Sequence, residues 1–222
     1  MIVYTTGETA PFSFRDEKSN PCGFDIDLAH LIAKEIDRDI EIRCVPFDDM
    51  LKKIQSKQGD IAIAAISITD ERKNLVDFSP PYHSNGFVLL MLNGTPEKVE
   101  DLNQSNRKIG VRKGTYQEGT AKLQWVNIPN IFVNSFDNLT SEDISNKLRS
   151  GEVAAFILDA DEGSYLSKKN DGFKVVPLNF TTLDIGVVTS KGSPYTTLIA
   201  ESFTKNADKM RDLKVKWLEH AR

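Results

Sequence analysis

The sequence predicts an α/β fold that has largely parallel sheets and is divided into two halves. Short apolar, β-branched runs bounded by Gly, Pro and Asp recur along the chain, as buried strands do. Amphipathic stretches with apolar residues at helical spacing lie between these runs. After a polar linker at residues 93–106, a second series of strands and helices begins at Lys108. Strands that alternate with helices are typical of the α/β class.

The apolar runs that we predict to be strands are residues 1–6, 40–45, 61–66, 87–92, 108–112, 153–158, 173–176 and 185–189. The predicted helices are residues 25–37, 48–56, 142–150, 160–168 and 194–218. In the first helix, Leu28, Ile32 and Ile36 recur at helical spacing, with charged residues on the other face. A further helix is expected to begin after Thr69, a good N-cap residue.

Composition excludes several classes of protein. The chain has 222 residues, 40% of them hydrophobic and 27% charged, which is ordinary for a globular protein with a buried core. The formal net charge is −4 and the basic residues are spread along the chain, so nucleic acid is not expected as a partner. No apolar run approaches the ~20 residues of a membrane span. If the protein is exported, we expect a signal peptide to have been removed ahead of Met1.

The cysteines and histidines predict no metal site and no other cofactor. Cys22 and Cys44 cannot form a zinc or iron–sulfur site by themselves, and His30, His83 and His220 have no ligand spacing. The two cysteines either form a disulfide in an oxidising compartment or stay as thiols, and the sequence leaves both possibilities open.

Motifs of common enzymes are absent from the sequence. It contains no Walker A loop, G-x-S-x-G, H-E-x-x-H or C-x-x-C motif. Gly110 and Gly114 lie where a strand passes into a helix. Backbone N–H groups exposed at that point suit an anion, a carboxylate included.

Arg72 is the first candidate binding residue. It follows the strand predicted at 61–66, and ligands of open α/β sheets bind at the carboxyl ends of strands. With Thr69 as N-cap, Arg72 lies in the first turn of a helix and offers a planar fork that matches a carboxylate. The alternative is that Arg72 is an ordinary surface arginine beside Glu71.

Asp159 is the second candidate, at the carboxyl end of the strand predicted at 153–158. A carboxylate there can accept hydrogen bonds from an ammonium group. The alternative is that Asp159 caps the following helix, a role for which Asp is well suited. An anion-binding arginine and a cation-binding aspartate, one in each half, together predict a site for a zwitterion.

The chain also carries motifs in a specific order, and through them it resembles the periplasmic solute-binding proteins of polar amino-acid ABC importers, extracellular solute-binding family 3. The motifs are Ala10-Pro11-Phe12-Ser13-Phe14, Gly23-Phe24-Asp25-Ile26-Asp27-Leu28, Phe47-Asp48, Ser67-Ile68-Thr69-Asp70-Glu71-Arg72, Asp77-Phe78-Ser79-Pro80-Pro81-Tyr82, Gly110-Val111, Gly114-Thr115 and Asp159.

The resemblance implies a two-lobed type II periplasmic binding protein fold with two crossing hinge segments. From the strand at Phe87 and the return at Gly186, lobe one is predicted at 1–86 plus 186–222 and lobe two at 87–185. Such a protein binds a free polar L-amino acid between its lobes and delivers it to a membrane permease. It is a monomer without a cofactor or catalytic activity, located in the periplasm or lipid-anchored outside the cytoplasmic membrane.

The resemblance also implies roles for individual residues. Arg72 grips the ligand α-carboxylate, helped by Ser67 and the backbone N–H of Thr115. Asp159 accepts the α-ammonium with main-chain carbonyls near Ala65 and Ser67. The ligand side chain meets an aromatic wall and a mixed polar set, which are Phe47, Glu8, Thr9, Arg112, Tyr116 and Gln117. Asp25 and Asp27, which open a helix, are expected to be structural.

The expected ligand depends on Arg112. If its side chain points into the pocket, it favours glutamine or glutamate, because a cation there repels a guanidinium or ammonium group. If it pairs with Glu118 or solvent instead, arginine becomes the favoured ligand. Thr9 stands where many cationic amino-acid binders have an aromatic residue, and Thr6 where an acidic one is common. The sequence favours glutamine or glutamate first and arginine next.

Two other functions fit the same resemblance. A periplasmic cyclohexadienyl- or arogenate-dehydratase-like enzyme needs a general acid, which Asp161 or Glu162 would have to supply. Both residues are instead expected on the exposed start of a helix. The third function is the ligand-binding domain of a sensor or receptor within a longer chain.

Overall fold

The computed structural model describes residues 1–96, 101, 108–125, 127, 131–137 and 139–219. The chain forms two compact units: unit 1 comprises Met1–Asn85 with Thr182–Arg222, and unit 2 comprises Gly86–Thr181. Because unit 1 is made of two separate segments, the chain passes between the units twice. The lobe boundaries predicted from the sequence stay a prediction.

Unit 1 is built on a mixed five-stranded sheet. Its strands are β1 (Ile2–Thr5), β4 (Glu41–Cys44), β5 (Ile61–Ala62), β6 (Asp77–Phe78) and β12 (Val188–Thr189), in the order β4-β1-β5-β12-β6. A small separate sheet pairs β2 (Phe14–Arg15) with β3 (Pro21–Cys22). Strand β1 runs parallel to β4 and β5, whereas β12 is antiparallel to both β5 and β6.

Helices cover both faces of the unit 1 sheet. They are α1 (Phe24–Glu35), α2 (Phe47–Gln55), α3 (Asp70–Leu75), α7 (Tyr195–Lys205) and α8 (Ala207–Lys214), which continues into a π-helical turn at Val215–Glu219. Alternate strand residues point to opposite faces, so Val3 packs in one buried cluster with α1, α7 and α8. Its neighbour Tyr4 packs in a second cluster with α2.

Unit 2 repeats this arrangement on a sheet with the strand order β11-β7-β10-β8-β9. The strands are β7 (His83–Leu92), β8 (Lys108–Arg112), β9 (Phe132–Phe136), β10 (Ala155–Asp159) and β11 (Phe173–Ile185), and the helices are α4 (Tyr116–Trp125), α5 (Ser141–Ser150) and α6 (Ala160–Lys169). Strand β10 runs parallel to β8 and antiparallel to β7. Leu158 packs on one face and Ile157 on the other, which explains the continuous apolar sequence of this strand.

The structure confirms the predicted helices but differs in several details. The strand predicted at 173–176 continues to Ile185, and of the run predicted at 185–189 only Val188–Thr189 forms a separate strand. The sheets are mixed rather than largely parallel, because β7 and β12 run against their neighbours. The run predicted as a strand at 61–66 is a ladder only over Ile61–Ala62, and further along it Ala65 has a left-handed backbone (φ 49°) that a strand does not contain. The helix predicted at 194–218 is divided into α7, α8 and the π-helical turn. Most of the linker predicted at 93–106, and His220, lie outside the described residues.

Candidate functional site

Arg72 is positioned by the start of α3. Thr69 is the N-cap, and its hydroxyl oxygen accepts a hydrogen bond from the Arg72 backbone N–H at 3.2 Å, as predicted. The side chain turns inward, so Arg72 is only 8% exposed while its neighbour Glu71 is exposed. Its Nη1 donates to the Ser67 carbonyl at 2.9 Å, and the guanidinium carbon lies 5.3 Å from the centre of the Phe47 ring. Arg72 is therefore a buried, oriented cation and not an ordinary surface arginine.

The segment between β5 and α3 carries the other predicted residues of this half-site. Ala65 is buried and left-handed, and its N–H donates to Asp25 Oδ2 at 2.8 Å. Ser67 is buried and forms an isolated bridge with Ile185. The structure thus brings Arg72, Ser67, Ala65 and Phe47 together within unit 1.

Asp25 and Asp27 have different environments although both lie in the first turn of α1. Asp25 is fully buried, and besides Ala65 it accepts a hydrogen bond from the Tyr82 hydroxyl at 2.8 Å. Burial raises the pKa of Asp25 to about 7, against the opposing effect of these two hydrogen bonds. Asp27 accepts from Lys216 and Trp217, both at 2.7 Å, and so ties α1 to the C-terminal turn.

Glu8 and Thr9 lie in the loop after β1, also in unit 1. Thr9 is buried, and its backbone pairs with that of Ser13 through hydrogen bonds of 2.6 and 2.8 Å. Glu8 is half-buried, and its N–H donates to the Thr6 hydroxyl at 3.4 Å. Its carboxylate also contributes to raising the pKa of the Cys44 thiol, behind the larger effect of burial.

Asp159 is the buried carboxylate of unit 2, with 9% of its surface exposed. It stands at the N-cap position of α6, but in the described part of the chain its side chain makes no capping hydrogen bond. Its Oδ1 instead accepts from Gln117 Nε2 at 3.0 Å. The capping alternative is therefore wrong for the side chain, and the carboxylate is held toward the start of α4.

Arg112, at the end of β8, forms an ion pair that the sequence analysis did not consider. Its Nη1 and Nη2 donate to the two carboxylate oxygens of Glu162, both at 2.7 Å, and its Nε donates to the Leu139 carbonyl at 3.2 Å. The alternative in which Arg112 pairs with Glu118 is not what the structure shows, because its partner is Glu162. Glu118 binds Lys122 at 2.5 Å and the Gly114 N–H at 2.8 Å instead.

The expectation that Asp161 and Glu162 lie on an exposed helix start is also wrong. Asp161 is 4% exposed and Glu162 only 1% exposed. The first turn of α6 packs toward the end of β8, so Glu162, three residues after Asp159, faces the sheet. Helical spacing places residues three apart on one face, and that signal was present in the sequence.

Thr115 ends the turn between β8 and α4, and Tyr116 and Gln117 are the first two residues of α4. The Thr115 hydroxyl donates to the Arg112 carbonyl at 2.7 Å, and the Tyr116 ring stacks on Phe87 with centroids 5.7 Å apart. Strands β8 and β10 are parallel neighbours, so their carboxyl ends bring this turn beside Asp159. The predicted residues of unit 2, Arg112, Thr115, Tyr116, Gln117 and Asp159, are therefore gathered at one sheet edge.

Within the described residues, no group of three or more His, Cys, Asp and Glu could hold a metal ion. Cys22 and Cys44, both in described segments, are not joined by a disulfide. Among the helices that the structure describes, none combines the length and the hydropathy that crossing a membrane requires.

Comparison with known proteins agrees with this architecture. The chain is 30% identical over 199 residues to the L-cystine-binding protein TcyJ of Escherichia coli (strain K12), covering 87% of this chain and 71% of TcyJ. An ancestral arginine-binding protein has a similar fold in its structures with glutamine (TM-score 0.88, 31% identity, 98% of this chain and 96% of that chain) and with arginine (TM-score 0.89, 30% identity, 98% and 97%).

The ancestral amino acid-binding protein AncCDT-1, described as a precursor of cyclohexadienyl dehydratase, is also similar (TM-score 0.87, 29% identity, 98% of this chain and 95% of that chain). These similarities confirm the fold class predicted from the sequence. The family model of bacterial extracellular solute-binding proteins, family 3, matches residues 1–222. The chain belongs to family 3 of the bacterial extracellular solute-binding proteins.

Proposed function

We propose that this protein captures one free polar L-amino acid and delivers it to the membrane permease of an ABC importer. The observation that carries the proposal is a pair of buried, oppositely charged groups, Arg72 in unit 1 and Asp159 in unit 2. The backbone of a free amino acid carries the two complementary charges, so one zwitterion can engage both groups. The names of the similar proteins, which bind cystine, arginine or glutamine, support this class of ligand.

The α-carboxylate is assigned to Arg72. The Ser67 carbonyl and the Phe47 ring hold the guanidinium in place, so the ligand does not have to order a flexible side chain. A planar guanidinium binds a carboxylate through two parallel hydrogen bonds, a geometry that lysine cannot reproduce. The Ser67 side chain and the Thr115 backbone N–H are proposed to complete this end of the site.

The α-ammonium is assigned to Asp159. Its carboxylate is buried and already oriented by Gln117, so the cost of desolvating it is met before the ligand binds. The carbonyls of Ala65 and Ser67 are the further acceptors in this proposal. We propose that lobe one (1–86 plus 186–222) and lobe two (87–185) close on the amino acid by a hinge motion. The two compact units and the double passage of the chain support that proposal.

The ligand side chain is proposed to meet Phe47, Glu8, Thr9, Tyr116 and Gln117. The preference for glutamine or glutamate depended on Arg112 reaching the ligand as a cation. Because Glu162 holds that guanidinium through two hydrogen bonds, its charge is compensated and no longer opposes a cationic ligand. The proposal therefore places arginine ahead of glutamine and glutamate.

The same ion pair argues against the dehydratase alternative. A general acid needs a proton on one carboxylate oxygen, but both oxygens of Glu162 accept hydrogen bonds from Arg112. Asp161, the other candidate acid, is buried at the start of α6. We therefore propose a binding protein without catalytic activity, monomeric and located in the periplasm or lipid-anchored outside the cytoplasmic membrane. A receptor domain would have the same site within a longer chain.

A thermal-shift screen of the common protein amino acids tests this function. A ligand that binds the folded state raises the unfolding midpoint in proportion to its affinity, and we expect the largest shift with L-arginine. A shift with L-glutamine or L-glutamate alone would overturn the side-chain assignment but not the class of ligand. Turnover of prephenate or arogenate by the purified protein would overturn the assignment as a binding protein.

A further inference from the structure

Asp25 is a buried carboxylate whose two oxygens are each committed to a different part of unit 1. It lies in the first turn of α1, and its backbone N–H donates to the Phe12 carbonyl at 2.8 Å. Oδ2 accepts from the Ala65 N–H and Oδ1 accepts from the Tyr82 hydroxyl, each at 2.8 Å. Complete burial of a carboxylate costs desolvation free energy, so the presence of Asp25 at a fully buried position calls for an explanation.

The bond to Ala65 stabilises an unusual backbone conformation. At φ 49° Ala65 is left-handed, a conformation that residues other than glycine rarely adopt and that persists only when the surroundings enforce it. The left-handed residue lies three positions beyond the β5 ladder and redirects the chain. Its N–H then points at Asp25, forty positions away in the sequence, rather than at a neighbouring strand.

The redirected chain forms the anion half-site. Directly after Ala65, the Ile66 carbonyl accepts from the Gly186 N–H at 3.1 Å, and the Ile68 N–H donates to the Asp184 carbonyl at 2.8 Å. Between these two bonds lies Ser67, whose carbonyl accepts from Arg72 Nη1 at 2.9 Å. The direction of the Ser67 carbonyl therefore depends on the turn at Ala65, and the orientation of the Arg72 guanidinium depends on that carbonyl.

We propose that Asp25 is a positioning residue of the amino-acid site: by holding the Ala65 N–H it sets the turn that aims the Ser67 carbonyl, and through it the Arg72 guanidinium, at the ligand. This inference rests on the proposed function, because it assigns a role in affinity to a residue that the ligand does not touch. The bond to Tyr82 anchors the carboxylate from the other side. Tyr82 is itself fixed by stacking on Phe24, with centroids 5.6 Å apart.

Three substitutions probe the two bonds of Asp25, and a fourth is the control. Asp25→Ala removes both and leaves the Ala65 N–H without its acceptor. Asp25→Asn keeps an amide oxygen for the Ala65 N–H and can donate from its amide nitrogen to the Tyr82 oxygen, so it is the conservative variant. Tyr82→Phe removes only the second bond. Ile32 lies in the same buried cluster as Ala65 and Tyr82, so Ile32→Ala is the control that lowers stability without changing a residue of this turn.

The dissociation constants of L-arginine and L-glutamine are measured by calorimetry, at a temperature where each variant is folded by circular dichroism. Asp25→Ala is expected to weaken the better-bound amino acid by at least about tenfold, and Asp25→Asn, Tyr82→Phe and Ile32→Ala to stay within about threefold of wild type. Equal affinity for Asp25→Ala and wild type, with only the midpoint lowered, would show a purely structural role and overturn the proposal.

The other outcomes are also decisive. If Asp25→Ala does not fold, Asp25→Asn and Tyr82→Phe still test the proposal. A large loss of affinity in Tyr82→Phe with none in Asp25→Asn would show that affinity depends on the bond to Tyr82 rather than on the bond to Ala65, and would overturn the proposal. If wild-type protein binds none of the common protein amino acids while folded, the proposed function fails and this inference fails with it. If wild type binds and Asp25→Ala binds equally well, only this inference fails.

Discussion

Replacing Asp25 by asparagine is predicted to change how the stability of the protein depends on pH. Burial raises the pKa of Asp25 from 3.8 in the unfolded chain to about 7 in the folded protein. Between these two values the folded state binds a proton that the unfolded state does not. The stabilisation from this proton is therefore fully present below the unfolded pKa and is lost as the pH rises through the folded pKa. Asparagine cannot ionise and has no such dependence.

The size of the effect follows from the interval between the working pH and the folded pKa. At about pH 5 the interval is roughly two pH units, and each unit is equivalent to about 1.36 kcal/mol, so the proton contributes about 3 kcal/mol. At about pH 8 the carboxyl is ionised in both states and the contribution has fallen to nearly zero. Relative to Asp25→Asn, wild-type protein is thus predicted to lose about 3 kcal/mol of unfolding free energy between these two pH values.

Urea unfolding of both proteins, followed by circular dichroism across this pH range without added amino acid, measures the difference directly. Carboxylates whose pKa is lowered by hydrogen bonds, such as Glu35, Asp77 and Asp143, lose their stabilisation only on acidification and do so in both proteins. Their contributions to the pH dependence are the same in both proteins and cancel when the two stability curves are compared. Parallel stability curves for wild type and Asp25→Asn would refute the argument that the buried carboxyl keeps its proton near neutral pH.

Three further substitutions test other parts of the structure. Asp159→Asn is expected to weaken amino-acid binding by about 3 kcal/mol in calorimetry, because the ammonium loses a charged acceptor, and Asp161→Asn serves as the comparison. Glu162→Gln is expected to cost about 3 kcal/mol of unfolding free energy in urea, because it leaves the Arg112 guanidinium without its counter-charge. If the free-energy losses of Glu162→Gln and Arg112→Gln simply add in the double variant, the ion pair is contradicted. Thr69→Ala, which removes the N-cap of α3, should cost about 1 kcal/mol while Thr69→Ser costs little, and equal melting points would argue against the cap.

Local chemistry explains what could be predicted from the sequence. The N-cap of α3 and the place of Arg72 in its first turn follow from Thr69 and three neighbouring residues, so they are visible without tertiary structure. The helical spacing of apolar residues in α1 reflects burial of one face of that helix, and the continuous apolar sequence of β10 reflects burial of the strand on both faces. Both elements could therefore be predicted from their own residues.

The features that sequence analysis missed depend on residues distant along the chain. The N–H of the left-handed Ala65 is accepted by Asp25, forty positions earlier, and no local signal marks an alanine for a left-handed backbone. Glu162 is buried because it meets Arg112, fifty positions earlier, and a glutamate in the first turn of a helix is ordinarily exposed. The preference for glutamine or glutamate rested on Glu118 or solvent as the only alternative partners of Arg112, because Glu162 is distant along the sequence.

Calorimetric titration of wild-type protein, Arg72→Lys and Arg72→Ala with L-arginine and L-glutamine measures whether Arg72 binds the amino acid. We expect one binding site per chain in wild type, and a loss of affinity of about 100-fold or more in both variants, since lysine keeps the charge but not the planar fork. The unliganded variants should remain folded by circular dichroism. Binding by Arg72→Lys and Arg72→Ala within about threefold of wild type, or no heat of binding with either amino acid in wild type, would contradict the claim that Arg72 and Asp159 form a site for a free amino acid.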